Sequence, residues 1–280
     1  MDAETWMDGS LFKEGLPMNE ACATSSPLVE SRTDPKKRLF LYALVQATPE
    51  FHLERAGIGE TDVYTVTASG ISAVVSTIPG PRLRPERRNL AAHQGVLNRL
   101  MESTAPLPMT FGTIAQGEDA VRKMLARNSN AILKQLAQVA GKVEMILRVK
   151  WDVPNIFEYF VCRNGVLMAA RDQLFGPDSA PTQDDRLEIG RLFERVVSEE
   201  REEHTLRVEK ALSTYCAEIK RNKCRSELDI MNLACLIPKE MVKVFEEKVL
   251  HAAESFDNSF AFDYSGPWPP YNFVKLSLEL

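Results

Sequence analysis

Four histidines, five cysteines and two clusters of charged side chains are the residues of this chain best equipped for chemistry. His52, His93, His204 and His251 are far apart in sequence, and no HExxH spacing joins any of them into a metal-binding helix face. His93 is the most interesting, because it falls on the apolar stripe of a predicted helix. A lone histidine there reads as a hydrogen-bonded core residue before it reads as a ligand. Cys22, Cys162, Cys216, Cys224 and Cys235 are odd in number and scattered, with no CxxC pair, so they suit isolated thiols rather than a disulfide framework. Arg82, Arg84, Arg87 and Arg88 gather around prolines before a helix start. A helix N-terminus with arginines can hold an anion, and a solvated, salt-bridged loop accounts for the same residues. Glu199-Glu200-Arg201-Glu202-Glu203 has i,i+4 partners in Arg195 and Arg207, as a solvated helix face would. No Gly-rich phosphate loop and no GxSxG elbow is present. The residues therefore nominate no catalytic set, no metal site and no cofactor.

The elements that would position these side chains can be read from periodicity. Residues 1–37 are rich in Ser, Thr, Pro and acids, lack an apolar period, and read as a disordered extension. Asp2 and Glu4 and the lack of an apolar h-region argue against a secretory signal, which points to the cytoplasm. Leu39 to Val45 suits a central strand, and Val63–Thr67 with Ile71–Thr77 a hairpin. A helix follows from about Glu86 to Ser103, with Leu90, His93, Leu97, Leu100 and Met101 on one face. A second helix runs from Gly117 to Gly141.

Val143 to Trp151 alternates as a half-buried strand, with Glu144, Arg148 and Lys150 facing out. Asn155 to Ala170 reads as helix, and Gly176 to Pro181 as a loop. Asp184 to about Lys220 is one long helix or two. Cys224–Asp229 and Met231–Ile237 read as strands, Pro238 as the start of a helix, and Ser259–Tyr264 as a last strand. The fold class is α+β. An N-terminal α/β domain spans 38–141, and a C-terminal modified ferredoxin-like (βαββαβ) domain with long helices spans 142–280.

Close to the end of the 280 residues runs Gly266-Pro267-Trp268-Pro269-Pro270-Tyr271-Asn272-Phe273. The prolines exclude helix and central strand, so the segment runs extended. Trp268, Tyr271 and Phe273 pin it to the body as a strap, or offer a contact surface to another protein. A net charge of −5 (34 basic against 39 acidic residues) argues against non-specific nucleic-acid binding. No apolar run approaches the ~20 residues of a membrane span.

Set side by side, the motifs Arg88-Asn89-Leu90-Ala91-Ala92-His93-Gln94-Gly95, Leu107-Pro108-Met109-Thr110-Phe111-Gly112-Thr113, Gly141-Lys142-Val143-Glu144-Met145, Val149-Lys150-Trp151-Asp152, Gly190-Arg191-Leu192, Asn232-Leu233-Ala234-Cys235-Leu236-Ile237-Pro238 and the terminal proline–aromatic run resemble, in order and spacing, the gas vesicle protein family GvpL/GvpF. The resemblance covers about residues 38 to 280. It implies a non-enzymatic accessory protein of gas vesicle assembly, a minor vesicle component that binds the shell protein GvpA and other vesicle proteins and limits aggregation during nucleation. It carries no catalytic residues and no cofactor. The candidate contacts are Phe111, Trp268, Tyr271 and Phe273, and the candidate strand edges are Leu39–Val45 and Ser259–Tyr264. A small-molecule-binding regulator, with a ligand between ferredoxin-like units, is the alternative. An enzyme would require a convergent cluster around His93.

Overall fold

Strand β1 (Arg38–Gln46) is apolar nearly throughout and is buried on both faces, so it lies inside a sheet. The computed structural model describes residues 37–47, 51–78, 83–174, 182–276 and 278. Residues 1–36 of the extension expected to be disordered, the loop expected at Gly176–Pro181, Arg82 and Cys22 all lie outside these residues.

The first sheet also contains β2 (His52–Leu53), β3 (Val63–Ala68) and β4 (Ile71–Ile78). Helix α1 (Arg87–Ser103) precedes β5 (Leu107–Pro108) and β6 (Ile114–Gln116), and α2 (Gly117–Arg127) and α3 (Ser129–Val139) follow. The strand order is β2-β3-β4-β1-β5, with β6 also pairing β1, all antiparallel. One face of β1 packs against α1 through Phe40, Tyr42, Val96, Leu97 and Leu100. The other packs against α2 and α3 through Leu39, Leu41, Val121, Leu125 and Ile132.

The second sheet is built from β7 (Lys142–Trp151), then helices α4 (Ile156–Arg163), α5 (Gly165–Leu174) and α6 (Gln183–Leu212), then β8 (Glu218–Arg221), β9 (Asp229–Pro238), α7 (Val242–Ala253) and β10 (Phe260–Trp268). Its order is β10-β7-β9-β8, again antiparallel. Trp151, Phe160, Val208, Leu233 and Phe245 fill the core between this sheet and its helices. Ala234 and Leu236 of β9 point the other way and join the core of the first sheet.

Several expectations are corrected, each by a local interaction that periodicity does not show. The helix expected over Gly117–Gly141 breaks at Asn128, whose Nδ2 donates to the Met124 carbonyl at 2.8 Å and competes with the next turn. Asn155–Ala170 is two helices. Asn155 caps α4, and the Asn164 Oδ1 accepts from the Val166 and Leu167 amides to start α5. The long helix starts in a Thr182–Asp185 capping box, runs unbroken through Glu199–Glu203 and stops at Leu212 rather than Lys220.

Of the strand expected at Cys224–Asp229, residues 224–228 are a loop and Asp229 begins β9, and β8 lies earlier in the chain. Ile219 faces the core, and Arg221 reaches Glu202 and Glu209 of α6. Pro238 ends β9 instead of opening a helix. Leu90 is exposed on α1, and Glu144, expected to face solvent, is buried. Leu39–Val45 is not a free edge, since β4 covers one side of it and β5 and β6 the other. The last strand runs on past Tyr264 to Trp268.

Candidate partner-binding site

The proline–aromatic segment is where backbone chemistry and burial meet. Strand β10 pairs with β7 as far as Ser265, and a register shift then brings Trp268 opposite Glu144. Gly266 sits in the shift at φ +136°, pressed against the backbone of β7. Pro269 and Pro270 are buried, and a single 3-10 turn, Tyr271–Phe273, follows them. Phe273, 1% exposed, enters the core of the first sheet beside Leu236 of the second. Burying a phenyl ring stabilises by roughly 2–3 kcal/mol, which makes Phe273 the apolar anchor of the strap.

The polar anchor was not legible in the sequence. Glu144, 2% exposed, accepts from the Asn272 backbone N–H at 2.8 Å and from its Nδ2 at 2.6 Å. Lys220 Nζ donates to the Asn272 carbonyl at 2.9 Å and lies 4.7 Å from the centre of the Phe273 ring. Burial pushes the Glu144 carboxyl above its ordinary range, opposed by the Asn272 hydrogen bonds and by the Lys220 charge. Nothing in the residue types marks Glu144, because a glutamate in an alternating strand reads as solvent-facing.

The four aromatics named as candidate contacts lie in different surroundings. Phe111 is half-buried against Phe40 and His93, with ring centres 5.4 and 5.8 Å apart. Phe273 is internal. Trp268 and Tyr271 are 37% and 40% exposed. Trp268 lines a cleft of about 400 Å³ with Met101, Val143 and Pro267, and its indole N–H donates to Ser265 Oγ at 3.2 Å. Tyr271 lines a separate groove of about 300 Å³ with Met109, Val274 and Leu276. Burial, then the nearby Glu144 charge, pushes the Tyr271 hydroxyl up to about 12.

The histidines stay apart. His93 is buried, stacked on Tyr42 and edge-on to Phe40. Burial holds its imidazole below the ordinary range, and a hydrogen bond to the Met109 backbone pulls the other way. The unfolded chain takes up that proton near pH ~6.5 and the folded chain resists it. This share of stability is full above that pH and is lost as pH falls towards the folded value. His93→Phe is therefore expected to lose less unfolding free energy between about pH 7.5 and 5 than the unaltered protein. Urea titrations at both values check this, and equal losses would show that His93 does not couple protonation to folding.

His204 packs on Phe256 and Phe260, 3.5 Å from Glu200, and His251 pairs with Glu254 at the surface. Arg88 pairs with Glu86, and the Arg84 carbonyl accepts from Asn89. Cys162, Cys216, Cys224 and Cys235 are free thiols. Among the described residues no group of three His, Cys, Asp or Glu side chains converges as a metal site requires. No described helix is long and apolar enough to cross a membrane.

Residues 38–275 match the family profile described as gas vesicle synthesis protein GvpL/GvpF. The chain belongs to the GvpL/GvpF family. Gas vesicle protein F of Nostoc sp. (strain PCC 7120 / SAG 25.82 / UTEX 2576) is 25% identical over 242 residues, 85% of this chain and 98% of that protein. Gas vesicle protein F2 of Halobacterium salinarum is 25% identical over 249 residues, 87% of this chain and 94% of that protein. The crystal structure of GvpF from Anabaena sp. PCC7120 superposes with a TM-score of 0.78 at 24% identity, covering 86% of this chain and 99% of that one. GvpF from Microcystis aeruginosa gives a TM-score of 0.74 at 22% identity, covering 85% and 99%. These crystal structures share the mixed α/β architecture with two antiparallel sheets. Membership of the GvpL/GvpF family supports a role in gas vesicle assembly, and the relatives named here are gas vesicle proteins rather than enzymes.

Proposed function

We propose that this GvpL/GvpF member is a non-enzymatic accessory protein that binds the shell protein GvpA and other vesicle proteins and limits their aggregation while a vesicle nucleates. The observation that carries the reading is the family match over residues 38–275. The strand order β10-β7-β9-β8, with helices after the first and third strands in sequence, supports a modified ferredoxin-like C-terminal domain over 142–280, beside an N-terminal α/β domain over 38–141.

The physical need is clear. A wall subunit that will line a gas space carries apolar surface before assembly, and such surface aggregates in water. A soluble partner that covers it until it is placed lowers that hazard. Trp268 and Tyr271 are the aromatic side chains of the strap that remain open to a partner.

Mixing the full chain with purified shell protein tests the reading. The chain is expected to co-purify with the shell protein and to suppress its light scattering. A chain that neither binds nor slows aggregation would overturn the proposal. Replacing both Trp268 and Tyr271 by alanine is expected to weaken co-purification by about ten-fold or more, the loss of one good aromatic anchor or two weaker ones. Unchanged capture by a variant with an unchanged melting temperature would remove these two residues from the contact.

A further inference from the structure

Strand β10 closes one side of the second sheet, and among the described residues it pairs with β7 alone, which leaves its other side without a strand. The opposite edge, β8, is four residues long, and its last residue is tied to α6 through Arg221. Natural edges are usually short, charged or covered, and a long open one is a template for another strand. The Asp152 amide donates to the Ser259 carbonyl at 2.7 Å, so Ser259 faces β7. Alternation along an antiparallel pair then turns the backbone N–H and C=O groups of Phe262 and Tyr264 away from β7.

Two further features say what would pair there. At the end of the edge, the cleft beside Trp268, about 400 Å³, is walled by Met101, Val143 and Pro267 together with Asn98 and Lys239, and has room for a large apolar side chain. Asp263, which lies opposite Arg148 of β7, is the charged residue of β10, and Glu102 also lines the cleft. Among the described residues neither carboxylate is in an ion pair. The Lys239 ammonium beside Glu102 is taken up by the Met101 and Glu102 carbonyls at 2.7 and 3.1 Å.

We infer that the free edge of β10 and the Trp268 cleft together form a strand-addition site for an extended segment of a partner, one that carries an apolar anchor for the cleft and a basic side chain opposite Asp263. Asp263 lies opposite Arg148 and Trp268 opposite Glu144, four steps along β7 or about 13 Å, so anchor and basic residue lie about four positions apart in the partner. Main-chain pairing supplies the affinity, and the cleft and the carboxylates supply register and choice. The inference rests on the assembly reading above, with the vesicle shell protein as the partner that supplies the segment.

The experiment uses the full chain, purified shell protein and amide hydrogen exchange. Binding with new protection of the Phe262 and Tyr264 amides is the expected result. Tyr264→Pro removes an outward N–H without removing a β7 ladder bond, since proline is tolerated on that side of an edge strand. It is expected to weaken binding at least about ten-fold, and Asp263→Lys several-fold, with melting temperatures close to that of the unaltered protein. If Tyr264→Pro unfolds the chain, Asp263→Lys and the exchange pattern decide. Binding with protection elsewhere and none on β10 overturns the site and leaves the assembly reading standing. No binding by the unaltered chain overturns both. Protection of the same amides in the chain alone, rising with its concentration, overturns the partner in favour of a second copy.

Discussion

Gly266→Ala is expected to destabilise the protein by about 3 kcal/mol, the largest loss among the substitutions considered. Two costs combine. The backbone at Gly266 has φ +136°, a region that L side chains rarely adopt. A methyl group there would also sit 2.9 Å from the Glu144 carbonyl oxygen and 2.6 Å from Met145 Sδ. The thioether can swing aside, but the carbonyl belongs to the β7 ladder and cannot move without parting the sheet. Gly59→Ala separates the two costs, because Gly59 has φ +70° with nothing within 4 Å of the added carbon. It is expected to cost only about 1 kcal/mol, the left-handed backbone penalty alone. Urea unfolding of both variants checks this, and equal losses would show that the strap can lift from β7 at no cost.

Asn272→Ala is expected to cost about 2 kcal/mol near neutral pH, because it strips one donor from a carboxylate that has left water. Glu144 then keeps the backbone N–H of residue 272 and loses the side-chain bond made at 2.6 Å. The pH dependence has a definite sign. Burial raises the Glu144 carboxyl in the folded chain, so this group's contribution is full below the unfolded value near ~4.3 and is lost as pH rises through the folded one. The Asn272 hydrogen bonds reduce that loss. Removing the side-chain bond enlarges it, so the gap between variant and unaltered protein widens from about pH 4 to about pH 7. The pair Glu144→Leu with Asn272→Leu removes the charge along with its donor and is expected to cost less than the sum of the two single changes. A gap that stays constant with pH would show that Asn272 does not hold the ionised form of Glu144.

Both predictions concern how the strap joins the two sheets. Phe273 belongs to the same buried cluster as Leu236 of β9 and Leu39 of β1, so one ring joins the core shared by both halves. Lys220 ties the same turn to β8. The strap is therefore an internal structural member along Pro269–Phe273 and a surface along β10 and Trp268.

Much of this architecture is written in local pattern. The unbroken apolar run of β1, the alternation of β7 and the two β-branched runs of β3 and β4 each specify a strand, because side-chain period and burial are properties of the segment itself. From β7 onward the pattern locates β7, β9 and β10, but it reads most of β8 as helix and the loop at 224–228 as strand. Helix ends were read less well. Asn128 and Asn164 stop or restart helices through hydrogen bonds of single side chains, and apolar periodicity does not register them.

The sequence by itself determined most of the strands and helices, the family motifs and the presence of an aromatic tail. Only the tertiary structure decided which aromatics are anchors and which are surface. It placed Phe111 and Phe273 inward, left Trp268 and Tyr271 open, and buried Glu144 under Asn272, 128 residues away in sequence. Burial is a property of what packs on top, and the segment on top of Glu144 comes from the far end of the chain. A carboxylate stays buried there only because that distant segment brings two N–H donors to it, and no reading of its own strand contains them.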